Sequence, residues 1–391
     1  MLPVRIHFSL GDDAREPAGG ELFGILEAVR AGGSIAAAAR TLACSYRHLW
    51  GRLRFWEARL GRPLIRWDRG RAARLTDFGD KLLWADARIK ARLAPELDTL
   101  VAGIERELSV AFDDALPIVH CVASHDLALA ALRSDALDSR SLILDLRFAG
   151  SLDALAALAA GECSFAGIHL PVEHPELAGR GSALHRAFGP LLRRGREKMI
   201  RVCGRRQGWM VQRAGSGSGS TSSASSAAGS GPLAHATEPA PPAADTDGRE
   251  RRHRFQTLAP HCVITREPGS GTRALFDQLA QAGTRLADDL ILRTESSHLA
   301  VAAAVAAGDA PVGFGIEAAA TRFELDFEPV VSEQYFLVCR RETIDAEIGQ
   351  AVVQALRSAS WLSQVAQLPG YDARGAGEIV SLRRVLPWYR R

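Results

Sequence analysis

Residues 261–279 read HCVITREPGSGTRALFDQL, a Gly-Ser-Gly loop held between two apolar runs of different period. The first run, His261 to Thr265, is short and rich in β-branched residues, which favours a strand. In the second, Ala274, Leu275, Phe276, Leu279 and Ala280 recur at helical spacing. A strand, tight loop and helix in that order aim unpaired backbone N–H groups at whatever the loop holds. An anion suits such a loop, although ordinary helix capping by Ser270 explains the same residues. The phosphate-loop pattern fails, because no lysine follows Gly271 and the glycines lack its four-residue spacer. Gly269 to Ala274 does fit a relaxed dinucleotide fingerprint, with Glu295 ending the next strand, but one such match is a weak signal. Ser270 and Thr272, with the Gly271 amide and Arg273, better suit a small tetrahedral oxyanion or a carboxylate.

The same unit recurs. PIVHCVA (117–123) leads into SHDLALAALRS (124–134), SLILDLRFA (141–149) into GSLDALAALAAGE (150–162), and DLILRT (289–294) into ESSHLAVAAAVAAGDA (295–310). Four times a strand ends in a serine-bearing turn that opens a helix, at Ser124, Ser151, Ser270 and Ser296-Ser297. This predicts an α/β body with mainly parallel sheets, whose ligand sits beyond the carboxyl ends of the strands. An internal echo, SLDALAALAAGECSFAGIHL (151–170) and SHLAVAAAVAAGDAPVGFGIEA (297–318), predicts two similar lobes joined by crossover strands. That describes a type 2 periplasmic-binding-protein fold. Ser124-His125-Asp126 is no catalytic triad, since adjacent residues at a helix start cannot line up nucleophile, base and orienter. No other catalytic motif and no metal-ligand spacing stands out, so no catalytic residue, metal or cofactor is expected, and the protein reads as no enzyme.

Ahead of this body lies a basic segment. Residues 40–75 hold ten arginines against Glu57 and Asp68, a local charge of +8 in a chain of net +3. Leu22, Ile25, Leu26 and Val29 mark a first helix ending at Gly32-Gly33. Ser34 caps an alanine-rich second helix and Ser45 a third, SYRHLWGRLRFWEARLG. The spacing buries Tyr46, Leu49, Trp50, Leu53 and Leu60 and turns Arg47, His48, Gly51, Arg52 and Phe55 outward. Two short extended runs then flank Asp68-Arg69-Gly70, a hairpin turn carrying Arg66, Arg69, Arg71 and Arg74. A third helix with a basic face, followed by a basic wing, is the geometry that enters a major groove. Double-stranded DNA is therefore the expected partner, met by Ser45, Tyr46, Arg47, His48 and Arg52 and by the wing arginines. A solvated basic face is the plainer alternative.

After Thr76 an amphipathic helix is expected to about Leu108, with Leu82, Ala85, Ile89, Leu93, Leu97, Leu100, Val101 and Ile104 as its stripe and Pro95 as a kink. Pairing with its own copy would make a homodimer through residues 76–108; packing on the chain's own body is the alternative. The domains are thus read as 1–75, 76–110 and 116–391. Within the last, the Gly-, Ser-, Ala- and Pro-rich segment 214–251 reads as a disordered insertion with a basic end at Arg249 to Arg254. Six scattered cysteines without CxxC spacing, no signal peptide and no long apolar run predict a cytoplasmic protein without a membrane span.

Two resemblances refine this. Residues 20–85, with GSIAAAARTLACSYRHLWGRLRFWEARLGRPLIRW and RLTDFGDKLL, resemble the winged helix-turn-helix of LysR-type regulators, and Ser45 to Trp50 is like the molybdate-responsive ModE-type subgroup. Residues 118–175 and 255–340 resemble the PBP-like domain attached to such proteins and to some molybdopterin-biosynthesis proteins, through ASHDLAL, REPGSGTRALFDQL, SSHLAVAAAVAAG and SEQYFLV. The resemblance implies a bacterial transcription regulator that senses an oxyanion, molybdate or tungstate first. In such domains serine hydroxyls and backbone amides hold the ion without a counter-charge. Carried over, this places Ser124, Ser151, Ser270, Thr272, Ser297 and Tyr335 at the ligand, flanked by His125 and His298. Isolated histidines are more often structural. The competing class is a binding protein or enzyme of molybdenum-cofactor metabolism whose N-terminal module only mediates interactions.

Overall fold

The computed structural model describes residues 19–67, 73–112, 116–171, 177, 179–192, 196–213, 262–281 and 290–389. The insertion at 214–251, its basic end, Arg69, Arg71 and the hairpin turn lie outside the described residues.

The head folds as its caps and periodicity dictate. Helices α1 (Gly19–Gly32), α2 (Ile35–Thr41) and α3 (Tyr46–Leu60) precede a ribbon of β1 (Ile65–Trp67) and β2 (Ala73–Leu75). Ser34 Oγ accepts the Ala37 N–H and Ser45 Oγ the His48 N–H, each satisfying a donor the helix itself leaves open. Leu49, Leu53 and Trp56 of α3 pack against Leu22, Ile25, Leu26 and Val29. Here the expected stripe is corrected. Trp56, seven residues after Leu49, takes the buried row, Tyr46 is 52% exposed, and Trp50 and Leu60 are half-buried. Tyr46 stands in the first turn, beyond the reach of α1 and α2, and so joins the outer face.

Helix α4 (Asp77–Phe112) opens on Thr76, whose Oγ1 accepts the Gly79 N–H, and continues through Pro95 for 36 residues. It serves two faces. Leu83, Ala91, Val101 and Ala102 are buried, whereas Ile89, Leu93, Leu100, Ile104 and Leu108 stay exposed along an apolar stripe. One face of this helix thus packs on the chain's own body, as the second alternative expected, and the other is left open.

The body is a mixed sheet of ten strands. Strands β3 (Ile118–Ala123), β4 (Ile143–Phe148) and β5 (Phe165–Leu170) run parallel in the first lobe. Strands β7 (Cys262–Arg266), β8 (Ile291–Glu295) and β9 (Val312–Ile316) run parallel in the second. Between them lie β6 (Glu197–Val211) and β10 (Asp326–Arg340), 15 residues each, antiparallel to one another and to β9 and β5 respectively. The order is β4-β3-β5-β10-β6-β9-β7-β8, with β11 (Tyr371–Asp372) and β12 (Ile379–Ser381) added on β6. The expectation of mainly parallel sheets thus holds within each lobe and fails at the centre, where the crossover strands form a long antiparallel ribbon. At Gly208 an added Cβ would lie 2.0 Å from the Glu328 carbonyl, so glycine alone lets the ribbon strands approach there.

Helices α5 (Leu127–Asp138), α6 (Ser151–Ala160) and α7 (Ala183–Phe188) belong to the first lobe; α8 (Gly271–Gln281), α9 (His298–Ala306) and α10 (Glu317–Arg322) belong to the second. The internal echo is α6 with β5 and α9 with β9, each helix followed by a left-handed glycine, Gly161 or Gly308. The C-terminal helices Glu347–Ala355 and Ala359–Ala366 return to the first lobe, where Trp361 is buried and its indole N–H donates to the Ala128 carbonyl. All six cysteines are free and four are buried; burial pushes the Cys339 thiol up to about 12. Among the described residues no single helix is long and apolar enough to cross a membrane.

Candidate functional site

The outer face of the head gathers part of the expected DNA-contacting set. Ser45, Tyr46, Arg47 and His48 are exposed at the start of α3. Across the wing Arg66 and Arg74 stand opposite one another and are exposed, while Ile65, Ala73 and Leu75 hold the ribbon to the core. Arg52 departs from the set. Its Nε lies 2.9 Å from both Glu21 carboxylate oxygens, so its guanidinium ties α3 to α1 rather than pointing outward.

The second candidate lies where the lobes meet. The loops ahead of α6 and α8 face each other closely: a Cβ on Gly150 would sit 3.0 Å from the Gly269 carbonyl, and one on Gly271 would sit 3.7 Å from Ser151 Oγ. Ser151 is buried with no hydrogen-bond partner for its hydroxyl. Thr272, which follows Gly271 in the chain, is buried, accepts from Gln207 Nε2 at 3.2 Å and lies 3.4 Å from His298 Nε2. Ser151, Gly271, Thr272 and His298 are therefore brought together.

The other expected residues are engaged elsewhere. Ser124 does not cap α5; Asp126 does, accepting the Ala128 N–H, because a three-residue loop follows the strand and the helix starts only at Leu127. Tyr335 is fully buried, donates its hydroxyl to the Ser124 carbonyl and stacks on His169 with ring centres 4.0 Å apart. His125 turns towards α4, 3.6 Å from Asp98. Ser270 caps its own helix through the Arg273 N–H, and Arg273 pairs with Asp277 one turn on at 2.7 Å. Only Ser270 and Ser297 of the four expected serines cap by side chain; Gly150 precedes α6 without a side-chain bond.

Sequence reading missed the polar residues beneath this junction. Arg205 donates to Asp126 at 2.7 Å and to Glu333 at 2.6 Å, both buried, and Gln207 donates to the same Glu333 oxygen at 2.6 Å. Asp126 also meets His169 and Tyr371. Burial alone would raise the Asp126 carboxyl, but His169, Arg205 and Tyr371 together hold it far below the usual carboxylate range. Burial, reinforced by Arg205, lowers His169 and lowers His298 well below an ordinary imidazole, which favours the neutral ring. Arg266, at the end of β7, is buried and makes no ion pair among the described residues.

A pH dependence follows with a defined sign. An unfolded histidine binds a proton near pH 6.5, whereas the folded His169 and His298 resist it. The unfolded state then holds more protons, so stability is full above about pH 6.5 and falls as pH drops, with a limiting slope of about 1.4 kcal/mol per pH unit for His298 and a smaller contribution from His169. Urea unfolding of the body at pH 7.5 and 5.5 is expected to show that loss; equal midpoints would exclude it.

Helix α4 fastens the head to both lobes. Pro95 has no N–H, so the Ala91 carbonyl loses its helical donor. Ser297 Oγ donates to that carbonyl at 2.7 Å, and Ser296 Oγ donates to the Arg92 carbonyl at 2.9 Å. Arg92 and Arg88 add ion pairs to Glu295 and Asp309 of the second lobe. On the first-lobe side Thr99 Oγ1 accepts the Phe148 N–H, Arg133 donates to the Asp98 carbonyl, and Arg106 pairs with Asp145. The expected ligand role of Ser297 meets this fact: its hydroxyl is used by α4 and by its own helix. Nearer the head, Trp84 stacks on Phe323 and Arg30 lies over Trp84, both at 5.9 Å.

Comparison with known proteins agrees with this division. Residues 21–80 match the bacterial regulatory helix-turn-helix protein, lysR family, and residues 134–357 match the PBP superfamily domain, more than half of the chain. The uncharacterized protein YvgK of Bacillus subtilis (strain 168) is 32% identical over 124 residues, 30% of this chain and 38% of that protein. An uncharacterized protein in the ferredoxin 2Fe-2S gene 5' region of Clostridium pasteurianum is 33% identical over 86 residues, 22% of this chain and 76% of that protein. The chain thus spans well under half of the first relative's length. Among solved structures, the full-length LTTR LysG of Corynebacterium glutamicum with bound effector Arg aligns over 86% of this chain and 97% of that one, at 14% identity and a TM-score of 0.37. ArgP of Mycobacterium tuberculosis aligns over 87% and 96%, at 14% identity and a TM-score of 0.37. The assignment rests on the sequence matches. The chain belongs to the PBP superfamily, carried behind a segment that matches the lysR-family regulatory helix-turn-helix.

Proposed function

We propose that the chain acts in the cytoplasm as a homodimeric DNA-binding regulator whose interlobe junction takes a small anion, with molybdate and tungstate as the first candidates. The working divisions are a DNA-binding head over 1–75, a linker helix over 76–110 and a sensor over 116–391. The observation that carries this reading is the single helix α4, which begins at the wing and is hydrogen-bonded to both lobes. Any change in how the lobes meet must load that helix. A ligand that favours one lobe spacing then shifts the head's orientation and its operator affinity by the same free energy. The start of α3, with Tyr46, Arg47 and His48 exposed, enters the major groove, while Arg66 and Arg74 meet phosphates.

The test is footprinting on genomic fragments with and without sodium molybdate at defined salt. Site-selective, salt-sensitive protection that molybdate or another anion shifts is expected; absence of any selective protection would sink the regulatory reading. Arg47→Ala is expected to cost about 1–3 kcal/mol of specific binding with folding unchanged. Unaltered binding would move the recognition surface elsewhere. Arg52→Ala differs, since its effect should appear first as lost stability of the head.

A further inference from the structure

The buried arginines of the body are not alike. Arg205 is shared by Asp126 and Glu333, and Arg133 lies by Asp98 and Glu105. Arg266 is 9% exposed, close to Arg133 at 8%; its Nε lacks a partner, and among the described residues it forms no ion pair with a carboxylate. A guanidinium taken out of water without a counter-charge is costly, and proteins keep such a group where something supplies the missing charge. Its position fits that role. Arg266 ends β7, at the carboxyl end of the strand, directly before the loop that faces Gly150 and opens α8. Burial and the nearby Arg205 lower its affinity for its proton to a pKa of about 10, and Arg205 and Arg266 together disfavour a charged His298. Arg205 is already shared by two carboxylates, and the neighbouring Glu267 is exposed and forms no ion pair with Arg266, so Arg266 is the cation of the junction left without an ion pair among the described residues. Around it stand the unpartnered Ser151 hydroxyl, the Thr272 hydroxyl and the first amides of α6 and α8.

We propose that Arg266 is the counter-charge of the interlobe site, so that its ligand is a fully charged anion, a carboxylate or tetrahedral oxyanion, and not a neutral molecule. This rests on the reading of the junction as an effector site. It replaces recognition by hydroxyls and amides alone with recognition by a charge-assisted hydrogen bond, the stronger and more directional kind. Neutral ligands of the same shape leave the guanidinium unpaired and are rejected for that reason.

The full chain and its Arg266→Met and Arg266→Lys variants test it by thermal unfolding with sodium molybdate, sodium sulfate, and sodium succinate against its neutral analogue succinamide. Without ligand, Arg266→Met is expected to unfold at a higher temperature than the parent, because an uncompensated buried charge is gone; a lower temperature marks Arg266 as structural and overturns the proposal. In the parent at least one anion should raise the midpoint and succinamide should not. Arg266→Met should bind that anion at least about tenfold more weakly, and Arg266→Lys should fall between. An anion that stabilises parent and Arg266→Met equally overturns the counter-charge while leaving the interlobe site standing. Stabilisation by succinamide as strong as by succinate overturns the charge requirement. Footprinting of the same proteins separates the two readings, since loss of selective protection in the parent strikes the regulatory function and not Arg266.

Discussion

Replacing Arg205 by methionine is expected to destabilise the two-lobed body by about 3–5 kcal/mol, lowering its unfolding temperature by about 10 °C. The reason is asymmetric. Arg205 alone bridges Asp126 and Glu333, and all three side chains are almost wholly excluded from solvent. Methionine fills much of the space but leaves two buried carboxylates facing one another without a cation. Asp126, held far below its ordinary range by His169, Arg205 and Tyr371, would lose one of those supports. Adding Asp126→Asn and Glu333→Gln to Arg205→Met removes the stranded charges and should recover part of the loss. Urea unfolding followed by tryptophan fluorescence reads both steps, and a single-variant loss under about 1 kcal/mol would show that the bridge matters little.

The second large effect concerns assembly. Leu100 and Ile104 are 59% and 42% exposed on the outer face of α4, in line with Ile89, Leu93 and Leu108. Glutamate at both positions removes only the partly covered portion of each side chain, so folding should lose no more than about 1 kcal/mol, well below the effect on assembly. In a two-fold pair of helices each residue is buried twice. Losing two such side chains per protomer costs about 4–6 kcal/mol of association, about a thousandfold to ten-thousandfold in the dimer dissociation constant. Sedimentation of the full chain is expected to shift from dimer to monomer, and footprint protection should shrink to a half-site. An unchanged sedimentation coefficient would place the dimer contact on another surface.

What sequence alone could reveal follows the range of the forces involved. Ser34, Ser45 and Thr76 each act on an N–H group three residues on, so the head and the start of α4 were legible from local pattern. Strand β6 was not. Arg205, Arg206 and Gln207 break its apolar pattern, and Arg205 is tolerated inside only because Glu333, 128 positions later, meets it. The two arginines of the REPGSGTR stretch make the same point. Arg273 had a visible partner four residues on, Asp277, which marked it for the helix surface. Arg266 carried no local sign of burial beyond standing last in a strand, and the partners that shape its surroundings come from other elements. Ser297 looked like a ligand residue by analogy with its sister serines. Nothing near it in the chain shows that Pro95 had freed a carbonyl for it.

That proline also sets a scale. From Pro95 to the start of α4 is 18 residues, about 27 Å of rigid rod at 1.5 Å per residue. Clamped at Ala91 and Arg92 by one lobe and at Thr99 by the other, the rod has its fulcrum near one end and its load at the wing. Each degree of tilt at the fulcrum moves the far end by about 0.5 Å. A rotation of about 7° thereby becomes a displacement of about 3.4 Å, the spacing of neighbouring base pairs, and two rods related by a two-fold axis would double it.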